Sequence, residues 1–312
     1  MICKICSESL LHSRKVRFLY GKRLKSYFII FCNKCETGQV NYFPSNEEIF
    51  TFYNNIGTQK LFETKNKKNL LRFNKLDSLL EFIFFKSNHN TKNFINFLDI
   101  GAGTGRYCKQ LQDLFNYNVE AIEPDKTKCE LLKYFNIKYH NETFEDFYKK
   151  NKKKFNLIKL SQVLEHVSNP LSFLNNINKI MEKNSYLWID IPNCNENYFN
   201  SRNNDLVGHL FFFNAKSIQY LSKLTNFKLI SIGSFGKTLK KKSFKENFII
   251  KLKSFIYLYT PLLLLNLRKK YMYNRYKYKN INFSEESYFI NSKMKFFENN
   301  FENEKLFILL KK

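Results

Sequence analysis

At 312 residues and 44% hydrophobic composition, the chain has the length and the apolar content for one large core, or a medium core with a small appendage. A formal charge of +25 has two readings. One is an anionic partner such as nucleic acid, a membrane surface or an acidic substrate; the other is a bias toward Asn, Lys, Ile, Phe and Tyr of the kind an A/T-rich coding sequence produces, so charge alone does not choose the substrate.

Residues 1–43 are read as a zinc ribbon. Cys3-Lys4-Ile5-Cys6 and Cys32-Asn33-Lys34-Cys35 form two C-x-x-C pairs, and four thiolates in two tight pairs suit tetrahedral Zn²⁺. With every coordination position filled, such a site is structural. The segment is too short for a hydrophobic core of its own, and Val16–Leu19 and Tyr27–Phe31 read as its strands. Cys108, Cys129 and Cys194 stand alone. An odd cysteine count without a signal peptide predicts a reducing compartment and a cytoplasmic protein.

Residues 44–92 carry apolar positions at helical spacing, Leu70, Leu71, Phe73, Leu76, Leu79, Leu80 and Ile83 among them, and form a helical lead-in. Over 93–239 short apolar runs alternate with amphipathic segments, the rhythm of a parallel α/β sheet. Strands are expected near 94–100, 117–123, 137–141, 155–161, 184–191 and 227–235. Helices are expected near 104–115, 126–135, 170–182 and 214–225. Residues 240–300 make a basic amphipathic insertion, with Lys240–Lys242 and an apolar run from Phe255 to Leu267, and 301–312 read as a final strand.

The chemistry begins at Phe97-Leu98-Asp99-Ile100-Gly101-Ala102-Gly103-Thr104-Gly105, an apolar strand running into a glycine turn and then a helix. Glycine allows the sharp turn and the close approach of a ligand. Arg106 stands where a dinucleotide fingerprint has its third glycine. Asp99 is placed to meet a positively charged amino group. Glu123, in Ile122-Glu123-Pro124-Asp125, closes the next strand about 20 residues on, where an acid accepts ribose hydroxyls.

These residues resemble the first motif of the class I S-adenosylmethionine-dependent methyltransferases. Thr143-Phe144-Glu145-Asp146 is similar to the family's adenine-contacting segment, and Phe155–Ile158 with Val163–Val167 to its fourth strand and exit loop, although Asn156 stands where the family has Asp. Trp188–Asn193 resembles the end of the fifth strand, and Gly208-His209-Leu210 with Phe212 opens the sixth unit. The resemblance implies a doubly wound seven-strand Rossmann-like sheet with an antiparallel last strand, here Leu306–Leu310. It also implies S-adenosyl-L-methionine as cofactor, held by Asp99, Gly101, Ala102, Gly103, Gly105, Glu123, Pro124, Thr143, Phe144 and Ser161. Glu165-His166 is similar to the Glu-x-x-Glu-His motif of quinone-pathway O-methyltransferases, which is associated with a divalent metal, but Gln162 replaces the first Glu and removes one hard ligand.

Methyl transfer to a hydroxyl gains from a general base, and His209 or His166 takes that place. The knuckle layout, with Pro44-Ser45-Asn46-Glu47-Glu48 after it, resembles a subset whose members modify sugars, surface polysaccharides and small metabolites. The expected acceptor is therefore a sugar, a polysaccharide precursor or another small molecule. Two alternatives stand beside it. One is an RNA methyltransferase using Arg14, Lys15, Arg17, Lys22, Arg23 and Lys25 as a phosphate-binding face. The other is a non-catalytic binding module that keeps the fold. Residues 248–270, apolar between lysines and interrupted by Pro261, read either as helices packed on the domain or as a peripheral contact with the inner membrane surface.

Overall fold

The computed structural model describes residues 1–20, 23–43, 45, 77–87, 96–195, 198, 209–239, scattered positions between 243 and 267, and 294–312; for 10–27 it describes the backbone alone. The expected helices over 44–76, the basic side chains between Arg14 and Lys25, and most of the apolar run 255–267 lie outside the described residues.

Two strands, β1 (Leu10–Tyr20) and β2 (Arg23–Cys32), form an antiparallel hairpin, and β3 (Gly38–Val40) pairs with β2. After α1 (Ser78–Ser87) come β4 (Asn96–Ile100), α2 (Arg106–Phe115), β5 (Asn118–Ile122), α3 (Lys126–Tyr134), β6 (Lys138–His140) and α4 (Phe144–Lys150). There follow β7 (Phe155–Ser161), a 3-10 turn at Leu164–His166, α5 (Pro170–Ile180) and β8 (Met181–Pro192). The chain ends with β9 (Phe211–Phe212), α6 (Ala215–Leu224), β10 (Lys228–Thr238), β11 (Phe296–Glu298) and β12 (Asn303–Lys311).

The main sheet has the order β11-β10-β12-β8-β7-β4-β5-β6. From β4 the chain winds outward through β5 and β6, then returns to the other side of β4 as β7. In open sheets of this kind ligands bind at such a reversal, beyond the carboxyl ends of the strands. Strands β4 to β8 are mutually parallel, and β12 runs antiparallel between β8 and β10. The antiparallel last strand is as expected, but among the described residues the sheet has eight strands rather than seven. The extra one, β11, adds three residues to the edge at Gly233–Phe235. A strand this short, reading Phe-Phe-Glu, leaves no alternation to detect.

Successive strand residues point to opposite faces, and both faces are covered. On one, Phe97, Leu157, Trp188 and Phe307 pack with Leu79, Ile83, Leu111 and Leu132 from α1, α2 and α3. On the other, Leu98, Ile158, Ile189 and Ile308 pack with Phe147, Phe173, Ile177 and Leu221 from α4, α5 and α6. Caps fix where the helices begin. Asp125 accepts from Thr127 N, Asn169 precedes Pro170 at the first turn of α5, and Asn214 forms a reciprocal capping box with Ser217.

Trp188 is fully buried and stacked on Phe307, with ring centroids 5.7 Å apart and planes 6° from parallel. Trp188→Ala is expected to cost about 3–5 kcal/mol of unfolding free energy in a urea titration. A loss below about 1 kcal/mol would show that this layer repacks.

The ribbon is not a separate body. β3 pairs antiparallel with β9, and Ile5, Ile29 and Val40 share one core with Leu164 and Phe211.

Candidate active site

The turn after β4 holds three glycines at positive φ, Gly101 at 71°, Gly103 at 59° and Gly105 at 73°. Their surroundings differ. A Cβ on Gly101 would lie 2.5 Å from Val163 Cγ2, and one on Gly105 would lie 2.4 Å from Leu132 Cδ2, whereas one on Gly103 meets nothing within 4 Å. Gly103 therefore faces open space. The turn is tied to the neighbouring strand, since Gly101 N and Ala102 N both donate to Ile122 O, at 2.8 and 3.1 Å.

Two buried carboxylates stand at the strand ends on either side of this turn in the sequence, Asp99 in β4 and Glu123 after β5. Glu123 is buried, with Oε2 accepting from Gly103 N at 2.7 Å and Oε1 from Asp125 N at 3.0 Å. Burial pushes its carboxyl upward, opposed by Lys128 and by these two N–H donors. Asp99 is fully buried beside Lys159 of β7, its register neighbour, with Lys159 Nζ 3.3 Å from Oδ1. Asp99 Oδ2 has no partner among the described residues. A buried carboxylate oxygen left bare is costly, and this one fits a site built to receive a donor group.

Lys159 was not anticipated. Within Leu-Ile-Lys-Leu it reads as an outward-facing residue, yet it is buried, with its ammonium over the Tyr107 ring at 4.2 Å. Thr143 and Phe144 serve the framework with their side chains. Thr143 caps α4 through Asp146, and the Phe144 ring packs on Phe173 at 4.8 Å. Pro124 is exposed, its carbonyl accepting from Asn141 Nδ2. Ser161 ends β7 opposite Asp190 of β8.

The loop after β7 brings together His166, His209 and Glu165. The two imidazoles meet edge to face with centroids 4.8 Å apart, and the Nε2 atoms of His166 and His209 lie 3.9 and 4.0 Å from Glu165 Oε1. Glu165 is buried, and neither of its oxygens has a hydrogen-bond partner among the described residues. Burial pushes its carboxyl up to about 8, with the Asp190 charge adding to the rise. Gln162, at φ 54°, is pinned by its backbone and side chain to Asp190, so a strained residue shapes the turn entering this cluster.

The profile of the methyltransferase domain family matches residues 69–232. The chain belongs to this family. The methyltransferase is thus an enzyme whose methyl donor is S-adenosylmethionine. Solved structures similar to it include a SAM-dependent methyltransferase from Archaeoglobus fulgidus, 13% identical over 75% of this chain and 94% of that one, with a TM-score of 0.46. Coclaurine N-methyltransferase bound to N-methylheliamine and SAH is 14% identical over 78% and 76%, at 0.42. The plantazolicin methyltransferase with a triazolic substrate analog and SAH is 13% identical over 75% and 83%, also at 0.42. No curated protein matches the sequence.

In the methyltransferase the four knuckle cysteines converge. Cys3 and Cys35 Sγ are 3.6 Å apart, Cys6 and Cys32 Sγ 3.3 Å, and all four sulfurs lie within 4.8 Å of one another. Tetrahedral zinc thiolates at about 2.3 Å imply sulfur separations of about 3.8 Å. The two turns are built alike. Ser7 N returns to Cys3 O and Glu36 N to Cys32 O, with Ser7 and Glu36 both at positive φ. No cysteine is in a disulfide. No described helix is long and apolar enough to cross a membrane.

Proposed function

We propose that the crevice at the ends of β4, β5 and β7 binds S-adenosylmethionine, and that the enzyme methylates a sugar, a surface-polysaccharide precursor or another small molecule. The observation that carries this reading is the open space at Gly103, whose N–H is held by the buried Glu123, together with Asp99 Oδ2, which has no partner among the described residues. Asp99 receives the cofactor's amino group. Glu123 uses one lone pair of each oxygen on the loop, and the remaining pairs accept ribose hydroxyls. The backbone of Gly101, Ala102, Gly103 and Gly105 lines the turn. Pro124, the start of α4 at Thr143 and Phe144, and Ser161 border the adenine and the methyl group.

The cofactor supplies a methyl group on a positively charged sulfur, which leaves as a neutral thioether. His209 or His166 takes the proton that the acceptor hydroxyl releases, with Glu165 beside both rings. The cysteines Cys3, Cys6, Cys32 and Cys35 hold one structural Zn²⁺. Calorimetry with S-adenosylhomocysteine, followed by labelled-methyl transfer into fractionated cell extract, tests the reading. Binding plus label in the sugar or small-metabolite fraction is expected; label confined to RNA overturns the acceptor class.

One further observation bears on the acceptor's carrier. Phe248, Leu252 and Ile256 recur every four residues and are exposed, as are Leu263, Leu264 and Leu267, with Lys251, Lys253, Arg268, Lys269 and Lys270 around them in sequence. Exposed apolar side chains with cations close by in the sequence suit an anionic lipid surface, and a lipid-linked acceptor would lie there. The protein is expected to float with vesicles containing phosphatidylglycerol and not with neutral ones. Equal recovery in both, or in neither, removes this part of the proposal.

A further inference from the structure

The knuckle and the histidines are joined by a short, continuous line of backbone. Thr37, two residues after Cys35, accepts from Cys32 N at 3.1 Å through its carbonyl, closing the second knuckle onto the start of β3. Gln39 of β3 reaches the first knuckle, accepting from Lys4 N at 2.8 Å and donating to Ile2 O at 3.2 Å. On its other side β3 pairs with β9, and Val40 N donates to Leu210 O at 3.0 Å. Leu210 N donates in turn to Glu165 O at 2.8 Å. His209 is the residue before Leu210. A second strut runs alongside, where Glu36 accepts from Lys216 Nζ at 2.7 Å and from Asn214 Nδ2 at 3.0 Å.

β9 has two residues. A strand that short does not hold its own register, so β3 supplies it, and β3 is fixed by the turns that carry the sulfurs. The cofactor half of the crevice depends on other elements, since the glycine loop bonds to Ile122 and Glu123, and Asp99 to Lys159. We infer that an ion on the four cysteines positions His209 against Glu165 and His166 through the β3–β9 pairing, and so builds the acceptor half of the crevice while leaving the cofactor half alone. This rests on the zinc reading above. Cys35 and Gly38 act here through other groups and are positioning residues.

The full-length protein is compared as purified, after zinc is quantified and then withdrawn with a competing chelator. Imidazole ¹⁵N resonances are read, with His166 and His209 assigned from their Gln variants. Zinc removal is expected to shift the His166 and His209 signals, leave His140 in place, and leave S-adenosylhomocysteine affinity unchanged. His140 is the internal control because it sits at the β6 edge against Glu120. A scaffold without this specific role would lose cofactor affinity in parallel with melting temperature.

A second variant keeps the cysteines intact. In Gly38→Val the new Cβ would stand 2.8 Å from Phe31 Cε1, 3.0 Å from Ile29 Cγ2 and 3.1 Å from Phe212 Cβ, wedging β3 off β9. With zinc still bound, this variant is expected to show the same histidine shifts. Unmoved His209 and His166 signals after zinc loss, or a cofactor affinity that falls with them, overturn the inference. Purified protein without zinc overturns both it and the reading of the cysteines. Failure of zinc-loaded protein to bind S-adenosylhomocysteine counts against the cofactor reading alone, because the histidine signals still decide the coupling.

Discussion

Glu123→Ala is expected to weaken S-adenosylhomocysteine binding about 100-fold, since two hydrogen bonds to a charged acceptor contribute roughly 3 kcal/mol between them. The loss has a second origin. Glu123 also holds Gly103 N and Asp125 N, so its removal frees the middle of the glycine loop as well as the ribose. Glu123→Gln keeps one carbonyl oxygen and should fall between the two. Calorimetry on both variants checks this, with near-ultraviolet circular dichroism to confirm folding. An alanine variant that binds as tightly as the parent would remove Glu123 from the cofactor site.

Stability should fall as the solution becomes more alkaline, and Glu165 is the cause. Its carboxyl ordinarily titrates near 4.5 and is pushed up to about 8 in the folded protein by burial. Between those values the folded state holds a proton that the unfolded state has released, so unfolding gains ground as pH rises through the window. At about 1.36 kcal/mol per pKa unit the effect reaches roughly 5 kcal/mol. The contribution is fully present below the lower value and gone above the upper one. Glu165→Gln removes the proton exchange. It should be nearly neutral at about pH 5 and stabilising at about pH 8.5 in urea titrations. Parallel pH curves for the two proteins would place water or another donor on the Glu165 oxygens.

Much of the fold was legible because its signals are local. The glycine turn at 101–105 announces itself through backbone that only glycine adopts cheaply, and the strands from β4 to β8 through apolar runs of adequate length. The paired cysteines likewise carry their spacing in the sequence. What was missed depends on distant partners. Lys159 is buried only because Asp99 lies beside it on the neighbouring strand, and β9 is a strand only because β3 comes to meet it. The helix α4 had a readable start, since Thr143 and Asp146 have capping spacing, but the resemblance drew attention to adenine contact instead. His166 and His209, 43 positions apart in sequence, could be nominated separately. Their meeting over Glu165 needed the fold.

The unequal surroundings of the three glycines bear on engineering the proposed donor site. Val163 seals one flank of the turn and Leu132 the other, so laboratory evolution has little freedom at those positions. The middle position is restrained by its dihedral angle alone. Asn or Asp tolerates that angle better than other side chains, and either would project into the hollow. Such a variant would narrow the entrance for bulky alkyl analogues of the donor, giving a handle on donor size that leaves the surrounding scaffold untouched.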